Sequence, residues 1–307
     1  MRKVSIIVPV YNEEGNIQRC YDAVVGVMEK LKGYEFEIFF SDNKSTDKSW
    51  FLIKQLAVTD PRVRGVSYSK NFGFQRSIYQ AHLACGGDAA ITLDCDLQDN
   101  PVYIPEFVAQ WEQGCEIVFG VRKKRPESFL MESTRKFFYR LVNYLSEEDL
   151  PHDVGEFRLI DRKIIEHLRE YNDHQPYLRG IIASLGYRQG KVFYEREVRT
   201  WGETKFNLNE LFKVAFDGIF NFSIVPLRIA FYVGIFSSVC AVLVAMAFIV
   251  LKLFFHEEWP AGFTTITVLV LLGTGLNGIF LGILGEYIGR IYKQLKAEPI
   301  AIIEERI

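Results

Sequence analysis

Over the first 120 or so residues, short apolar runs rich in β-branched and aromatic side chains alternate with stretches whose apolar positions recur at helical spacing. The runs VSIIVPV, FEIFFS, VRGVSYS, AAITL and EIVFGV are the strand candidates. Between the first two, Ile17, Tyr21, Val24, Met28 and Leu31 make one helical face, with Asn12 as the expected N-cap and Glu13 and Glu14 in the first turn. Another helix is expected to end at Gly86-Gly87. Strands alternating with helices predict βαβ units and an α/β fold with a mainly parallel sheet.

Residues 122–205 are more charged, with helical patterns near 129–145 and 161–170 and a β-rich run, KVFYEREV; they are expected to complete the site of the domain 1–205. In 206–227, the segment Asn207–Phe222 sets Leu208, Leu211, Phe212, Ala215, Phe216, Ile219 and Phe220 on a broad apolar stripe. That stripe suits a helix lying on a membrane surface or an ordinary core helix. In 228–307, the stretches Ile229–Leu251 and Ala261–Gly285 contain no Asp, Glu, Lys or Arg, and each is long enough to cross a bilayer. Arg228 flanks one side, and Arg290, Lys293 and Lys296 the other. By the positive-inside rule both termini then face the cytoplasm of an inner, plasma-membrane protein.

A net charge of −2 leaves no electrostatic footprint for nucleic acid. Val4–Val10 is too short, and lacks a cleavage site, for a signal peptide. The five cysteines show no CxxC pair, and they read as free thiols in a reducing compartment. The five histidines lack metal-ligand spacing, and no Walker A loop, G-x-S-x-G or Rossmann glycine pattern is present.

In a parallel sheet the ligand crevice lies beyond the carboxyl ends of the strands. Three polar clusters fall there: Pro9-Val10-Tyr11-Asn12-Glu13, Ser41-Asp42-Asn43 and Asp94-Cys95-Asp96-Leu97-Gln98-Asp99. Asp94 and Asp96, two apart at a strand end, can turn both carboxylates to one side, with the Gln98 carbonyl as a third oxygen. Such a set suits Mg²⁺ or Mn²⁺ bridging phosphates, or else solvated acidic caps. Asp42 either accepts from a base N–H or opens an Asx-rich turn, and Asn71 and Gly73 form either a loop close to a ligand or a plain turn. Arg122 and Arg125, in a basic run after the fifth strand, have the planar donors that clamp phosphate, although such runs are usually solvated. Arg199 and Lys205 precede the apolar stripe, placed for a lipid phosphate or for anchoring to anionic lipid.

Taken in order, VPVYNEE, SDNKSTD, SKNFG, LDCDLQDNP, DVGEFRLIDR, a G-x-T-K motif and the two terminal stretches closely resemble the polyisoprenyl-phosphate glycosyltransferases of glycosyltransferase family 2. The late GEYIGRIY is similar to the bactoprenol glucosyltransferase branch. The resemblance implies a GT-A domain in which Pro9, Tyr11, Glu13, Asn71 and Gly73 line the nucleotide-sugar pocket and Asp42 faces the base. Asp94, Asp96 and Gln98 would surround the metal, while Arg122, Arg125, Arg199 and Lys205 hold the diphosphate or the acceptor phosphate. It further implies a UDP-sugar donor in preference to a GDP-sugar, an undecaprenyl or other polyisoprenyl phosphate acceptor in membrane lipid, and a homo-oligomer, often a tetramer. Asp96, Arg122 and Glu156 are then the catalytic candidates. Three positions depart from the family pattern: Glu156 stands where Asp is typical, Asn43-Lys44 where Gly-Ser is usual, and Phe74-Gln75 where Lys-Glu is common. A processive polysaccharide synthase is disfavoured, because Gln175-Pro176-Tyr177-Leu178-Arg179 is followed by Gly180 instead of the Trp of a Q-x-x-R-W motif. A nucleotide-sugar-binding scaffold without activity is the remaining rival.

Overall fold

The structure, a computed structural model, describes residues 1–123, 154–171, 176, 178–196, 227, 229–237, 239, 240, 243, 246, 262–295 and 299–307. They fall into two compact units, one ending its first stretch at Arg196 and resuming at Pro299, the other lying within 227–295.

The first unit is an eight-stranded sheet. Its strands are β1 (Arg2–Val10), β2 (Tyr34–Asp42), β3 (Val63–Tyr68), β4 (Ala89–Thr92), β5 (Ile117–Arg122), β6 (Val154–Asp161), β7 (Gln189–Tyr194) and β8 (Ile303–Arg306). The order is β7-β5-β6-β4-β1-β2-β3-β8. β1, β2, β3 and β4 run parallel as the alternation predicts, and β5 pairs parallel with β7. β6 is antiparallel to both β4 and β5, and β8 is antiparallel to β3. The helices α1 (Ile17–Met28), α2 (Ser49–Thr59), α3 (Phe74–Ala84), α4 (Ile104–Glu112), α5 (Arg162–Glu170) and α6 (Leu178–Ser184) complete it. Because side chains alternate across a strand, β1 feeds two cores at once. Val4, Ile6 and Val8 pack with α1 and α4, while Ile7 packs with α3 and α5.

Two sequence expectations are corrected here. Asn12 does not cap α1, which begins at Ile17 with Asn16 before it. Instead Asn12 takes a left-handed φ of 56°, and its side chain accepts from the backbone N–H of Thr46 at 2.7 Å. The Asn12 and Glu13 amides in turn donate to Ser45 Oγ and Ser49 Oγ. The polar residues that look like a helix start therefore stitch the β1–α1 loop to the β2–α2 loop. The second correction concerns the tail. Residues 299–307 belong to the catalytic fold and not to a terminal hairpin domain: Ile303–Arg306 extends the sheet, Lys44 pairs with Glu304, and Lys54 with Glu305 at 3.2 Å.

In the second unit the helix Gly262–Leu295 runs unbroken for 34 residues, about 50 Å at 1.5 Å per residue. Among the described residues no helix is long and apolar enough to cross a membrane. The two expected spans are thus not carried by the described structure, and most of Ile229–Leu251 lies outside it. The helical pattern near 129–145 and the stripe Asn207–Phe222 also lie outside the described residues. All five cysteines are free.

Candidate active site

A cavity of about 380 Å³ opens at the carboxyl ends of β1, β2 and β4, lined by Pro9, Val10, Tyr11, Glu13, Asn43, Asn71, Gly73, Phe74, Ser77, Asp94, Cys95 and Asp96. Seven residues singled out in the sequence (Pro9, Tyr11, Glu13, Asn71, Gly73, Asp94 and Asp96) thus meet on one wall system. The strand-end rule explains why: Pro9 lies near the end of β1, and each of the others sits in a loop leaving an apolar strand.

Asp42 is not among the residues that line the cavity. It is buried at the end of β2, where Oδ2 accepts from Ser67 Oγ at 2.7 Å and Oδ1 from the Ser45 amide at 3.1 Å. Its neighbour Asn43 lines the cavity instead. Asn43 Nδ2 donates to Asn71 Oδ1 at 2.8 Å, and Asn43 Oδ1 accepts from the Phe72 amide at 2.9 Å. Asn71 Oδ1 also accepts from the Gly73 amide, where φ is 87°, a value glycine adopts without strain. Asn43, one of the departures from the family pattern, is therefore the clamp between the β2 end and the 71–73 loop.

Asp94 and Asp96 present the acidic edge of the cavity. Burial, and then the charges of Asp99 and Asp96, push the Asp94 carboxyl up to about 7. The Arg196 charge works in the opposite direction without cancelling this crowding, and clustered carboxylates of this kind are oxygen ligands suited to a hard divalent ion. Among the described residues no three His, Cys, Asp or Glu side chains gather as a metal site. Two carboxylates at a cavity edge are a donor set of the kind that Mg²⁺ or Mn²⁺ uses when phosphate and water complete its shell. Gln98 is not on the cavity wall; its amide N–H donates to Asp96 Oδ1 at 3.0 Å and so orients that carboxylate.

Beside the acidic edge lies a buried polar cluster that the motifs only partly revealed. Arg122, at the end of β5, donates from Nε to Tyr194 Oη at 3.1 Å. Burial works against its charge, but Tyr194, Asp99 and Asp94 more than offset that and raise its pKa. Glu156 Oε2 accepts from the wholly buried Arg158, while Oε1 accepts from Gln75 Nε2 at 3.1 Å and lies 3.7 Å from Arg179. Burial alone would raise the Glu156 carboxyl, yet Arg158, then Arg179, Gln75 and Arg122 hold it below the ordinary glutamate value. Sequence reasoning gave no site role to Arg158, Arg179 and Tyr194, and it named Asp99 only as a member of the strand-end acidic cluster. The signal it had was Glu156 and Arg158 two apart, on one side of a strand. Arg125, Arg199 and Lys205 lie outside the described residues.

His82 borders this cluster, fully buried, with Nε2 3.2 Å from Thr92 Oγ1. Burial, followed by the Arg158 charge, lowers its pKa to about 3. In the unfolded chain it takes a proton near pH 6.5, so below that pH the unfolded state binds the extra proton and stability falls as pH drops toward 3. The expected slope is about 1 kcal/mol per pH unit. Urea unfolding at about pH 7.5 and about pH 5 checks this: His82→Gln should flatten the difference seen in the wild type, and equal slopes in both proteins would exclude His82 as its source.

An α/β sheet of this order, with paired carboxylates and a basic cluster at its strand ends, has the strand-end crevice in which such folds hold their ligands. The chain belongs to glycosyl transferase family 2, whose family model matches residues 5–169. It is 38% identical over 302 residues to the uncharacterized glycosyltransferase YkcC of Bacillus subtilis, covering 98% of this chain and 93% of that protein. It is 35% identical over 305 residues to the bactoprenol glucosyl transferase of Shigella phage SfX, covering 99% of each. It is also 35% identical to the prophage bactoprenol glucosyl transferase homolog of Escherichia coli K12, over 98% of each. Among solved structures, glucosyl-3-phosphoglycerate synthase from Mycobacterium tuberculosis with Mn²⁺, UDP-glucose and glycerol 3-phosphate superposes at a TM-score of 0.47 with 19% identity, over 71% of this chain and 78% of that one.

Proposed function

We propose that this protein transfers a hexose, with inversion, from a nucleotide-diphosphate sugar to a polyisoprenyl phosphate, the favoured pair being UDP-glucose and undecaprenyl phosphate. The observation that carries the reading is the extent of the match to bactoprenol glucosyl transferases. It runs over 98–99% of the chain, including everything past residue 205 that the sugar-nucleotide fold itself does not need. On this reading Ile229–Leu251 and Ala261–Gly285 span the cytoplasmic membrane, residues 206–227 lie at its surface, and both termini are cytoplasmic. The protein works as a homo-tetramer and supplies a lipid-linked sugar for surface polysaccharide. The charge-free length of the two stretches supports the spans.

The site's residues account for the chemistry. Pro9, Tyr11, Glu13, Asn43, Asn71 and Gly73 hold the nucleotide, and Asp94 and Asp96 hold the divalent ion, which supplies neutralising charge to the diphosphate when bound. Arg122 stabilises the charge that develops on the departing diphosphate as the acceptor oxygen attacks the anomeric carbon. The acceptor is a phosphate monoester whose second pKa is about 6, so it arrives largely anionic and needs no strong base. Glu156, its oxygens engaged by Arg158, Gln75 and Arg179, orients arginines and does not take a proton.

The test is transfer of radiolabelled sugar from a panel of UDP- and GDP-sugars to undecaprenyl and dolichyl phosphates by the purified full-length protein with Mg²⁺ or Mn²⁺. Metal-dependent lipid-linked product from UDP-glucose is the expected result. Donor binding without transfer to either lipid would overturn the reading in favour of a scaffold.

A further inference from the structure

We infer that Tyr194 and Asp99 are positioning residues that hold the Arg122 guanidinium in the one orientation from which it meets the donor diphosphate, with Gly155 keeping the space it occupies. The inference rests on the proposed role of Arg122 and deepens it. β5 and β7 run parallel with Arg122 in register with Tyr194, so backbone pairing alone brings the two side chains together. The phenol has one proton. Tyr194 Oη donates it to Asp99 Oδ1 at 2.8 Å, which leaves the oxygen lone pairs to accept from Arg122 Nε at 3.1 Å. Both anchors are buried, Tyr194 at 0% and Asp99 at 1% exposure. The phenol ring cannot swing away, because Phe157 stands edge-on to it at 5.3 Å and 89°, and Tyr103 packs at 5.9 Å.

A second observation reaches the same side chain from the opposite direction. A Cβ at Gly155 would lie 2.8 Å from Arg122 Nη2, closer than real contacts allow, so the outer edge of the guanidinium fills the place where any other residue would carry its side chain. Nε is held by the Tyr194–Asp99 pair, and Gly155 leaves Nη2 the room that this orientation needs. A guanidinium held in this way is pre-organised, and it loses less entropy when it engages an oxyanion.

Tyr194→Phe removes both hydrogen bonds at nearly constant volume, and Gly155→Ala pushes on the guanidinium from the other side. Calorimetry with UDP and Mn²⁺ reads the position of Arg122 without turnover, and initial rates with UDP-glucose read it in the reaction. Both variants are expected to bind UDP more weakly and to lose about ten- to a hundredfold in kcat/KM, the worth of one hydrogen bond to a charged group. The loss is read at temperatures where both variants are folded, because Tyr194→Phe leaves the buried Asp99 carboxylate without its donor and is expected to lower the melting temperature as well. In Tyr194→Phe/Arg122→Ala the two losses should not add, because the first acts only through the second.

Wild-type UDP affinity and kcat in both Tyr194→Phe and Gly155→Ala, alongside weakened Arg122→Ala, would overturn the positioning role and leave the proposed function standing. Unchanged UDP affinity and turnover in Arg122→Ala would remove Arg122 from the diphosphate and the positioning role with it, while the transfer reaction itself would stand. Additive losses in the double variant would mark Tyr194 as a packing residue alone and also overturn the inference.

Discussion

Replacing Asp96 with alanine is expected to lower sugar transfer to a polyisoprenyl phosphate by roughly a thousandfold or more, the rate equivalent of several kcal/mol of lost charge stabilisation. Asp96 lines the cavity, and its Oδ1 is oriented by the Gln98 amide. With Asp94 it supplies a pair of carboxylates on the cavity wall at a strand end, and Asp94 alone cannot replace it, because two anionic ligands are what draw a hard cation onto the diphosphate. The fold should survive, since Asp96 is partly exposed and stands outside the apolar cores. Rates with Mn²⁺, with EDTA and with the Asp96→Asn variant form one series. Transfer by Asp96→Ala within about tenfold of wild type would remove the carboxylate pair from the chemistry.

The second large effect falls on stability. Glu156→Ala leaves the wholly buried Arg158 without its partner carboxylate and deprives Arg179 and Gln75 of theirs. Breaking a buried pair from one side costs about 3–5 kcal/mol, a large share of a domain's stability. Denaturant unfolding of the full-length protein in detergent measures it. Glu156→Gln separates the two proposed roles of this side chain. An amide keeps the shape and accepts one hydrogen bond, so the folded protein should retain turnover within about tenfold, whereas loss of a general base costs roughly a hundred- to ten-thousandfold. A collapse of kcat in a Glu156→Gln protein with unchanged UDP affinity would make Glu156 the base after all.

The parallel core was readable because its strands announce themselves. Val4–Val10 and Phe36–Ser41 are apolar on both faces, as strands covered on both sides must be, and the polar residues that follow them sit where such sheets keep their ligands. What escaped the sequence shares one physical cause: charged residues whose partners are distant. β6 carries Glu156 and Arg158 on one side, a pattern that periodicity assigns to solvent, yet the two neutralise each other inside the protein. β8 reads as an acidic tail until Lys44, Trp50 and Lys54, some 250 positions away, are seen to receive Glu304 and Glu305. Asn12 fits a helix cap equally well by composition, and only the tertiary proximity of Thr46 decides otherwise. Asp42 was legible as important, while its hydrogen bond from Ser67 was not, because only the pairing of β2 with β3 brings that hydroxyl to it.

The antiparallel strand Ile303–Arg306 has one more consequence, and it is topological. Its ladder with β3 fixes the chain's last residues to the same folded body as its first strand. Whatever path the intervening chain takes through a bilayer, it leaves from and returns to one side, so the number of crossings is even. A single-span anchor, or three spans, would strand residues 303–306 across the membrane from the sheet they complete. For the proposed membrane-spanning segment, an even number of crossings would thus follow from the edge strand of the sheet.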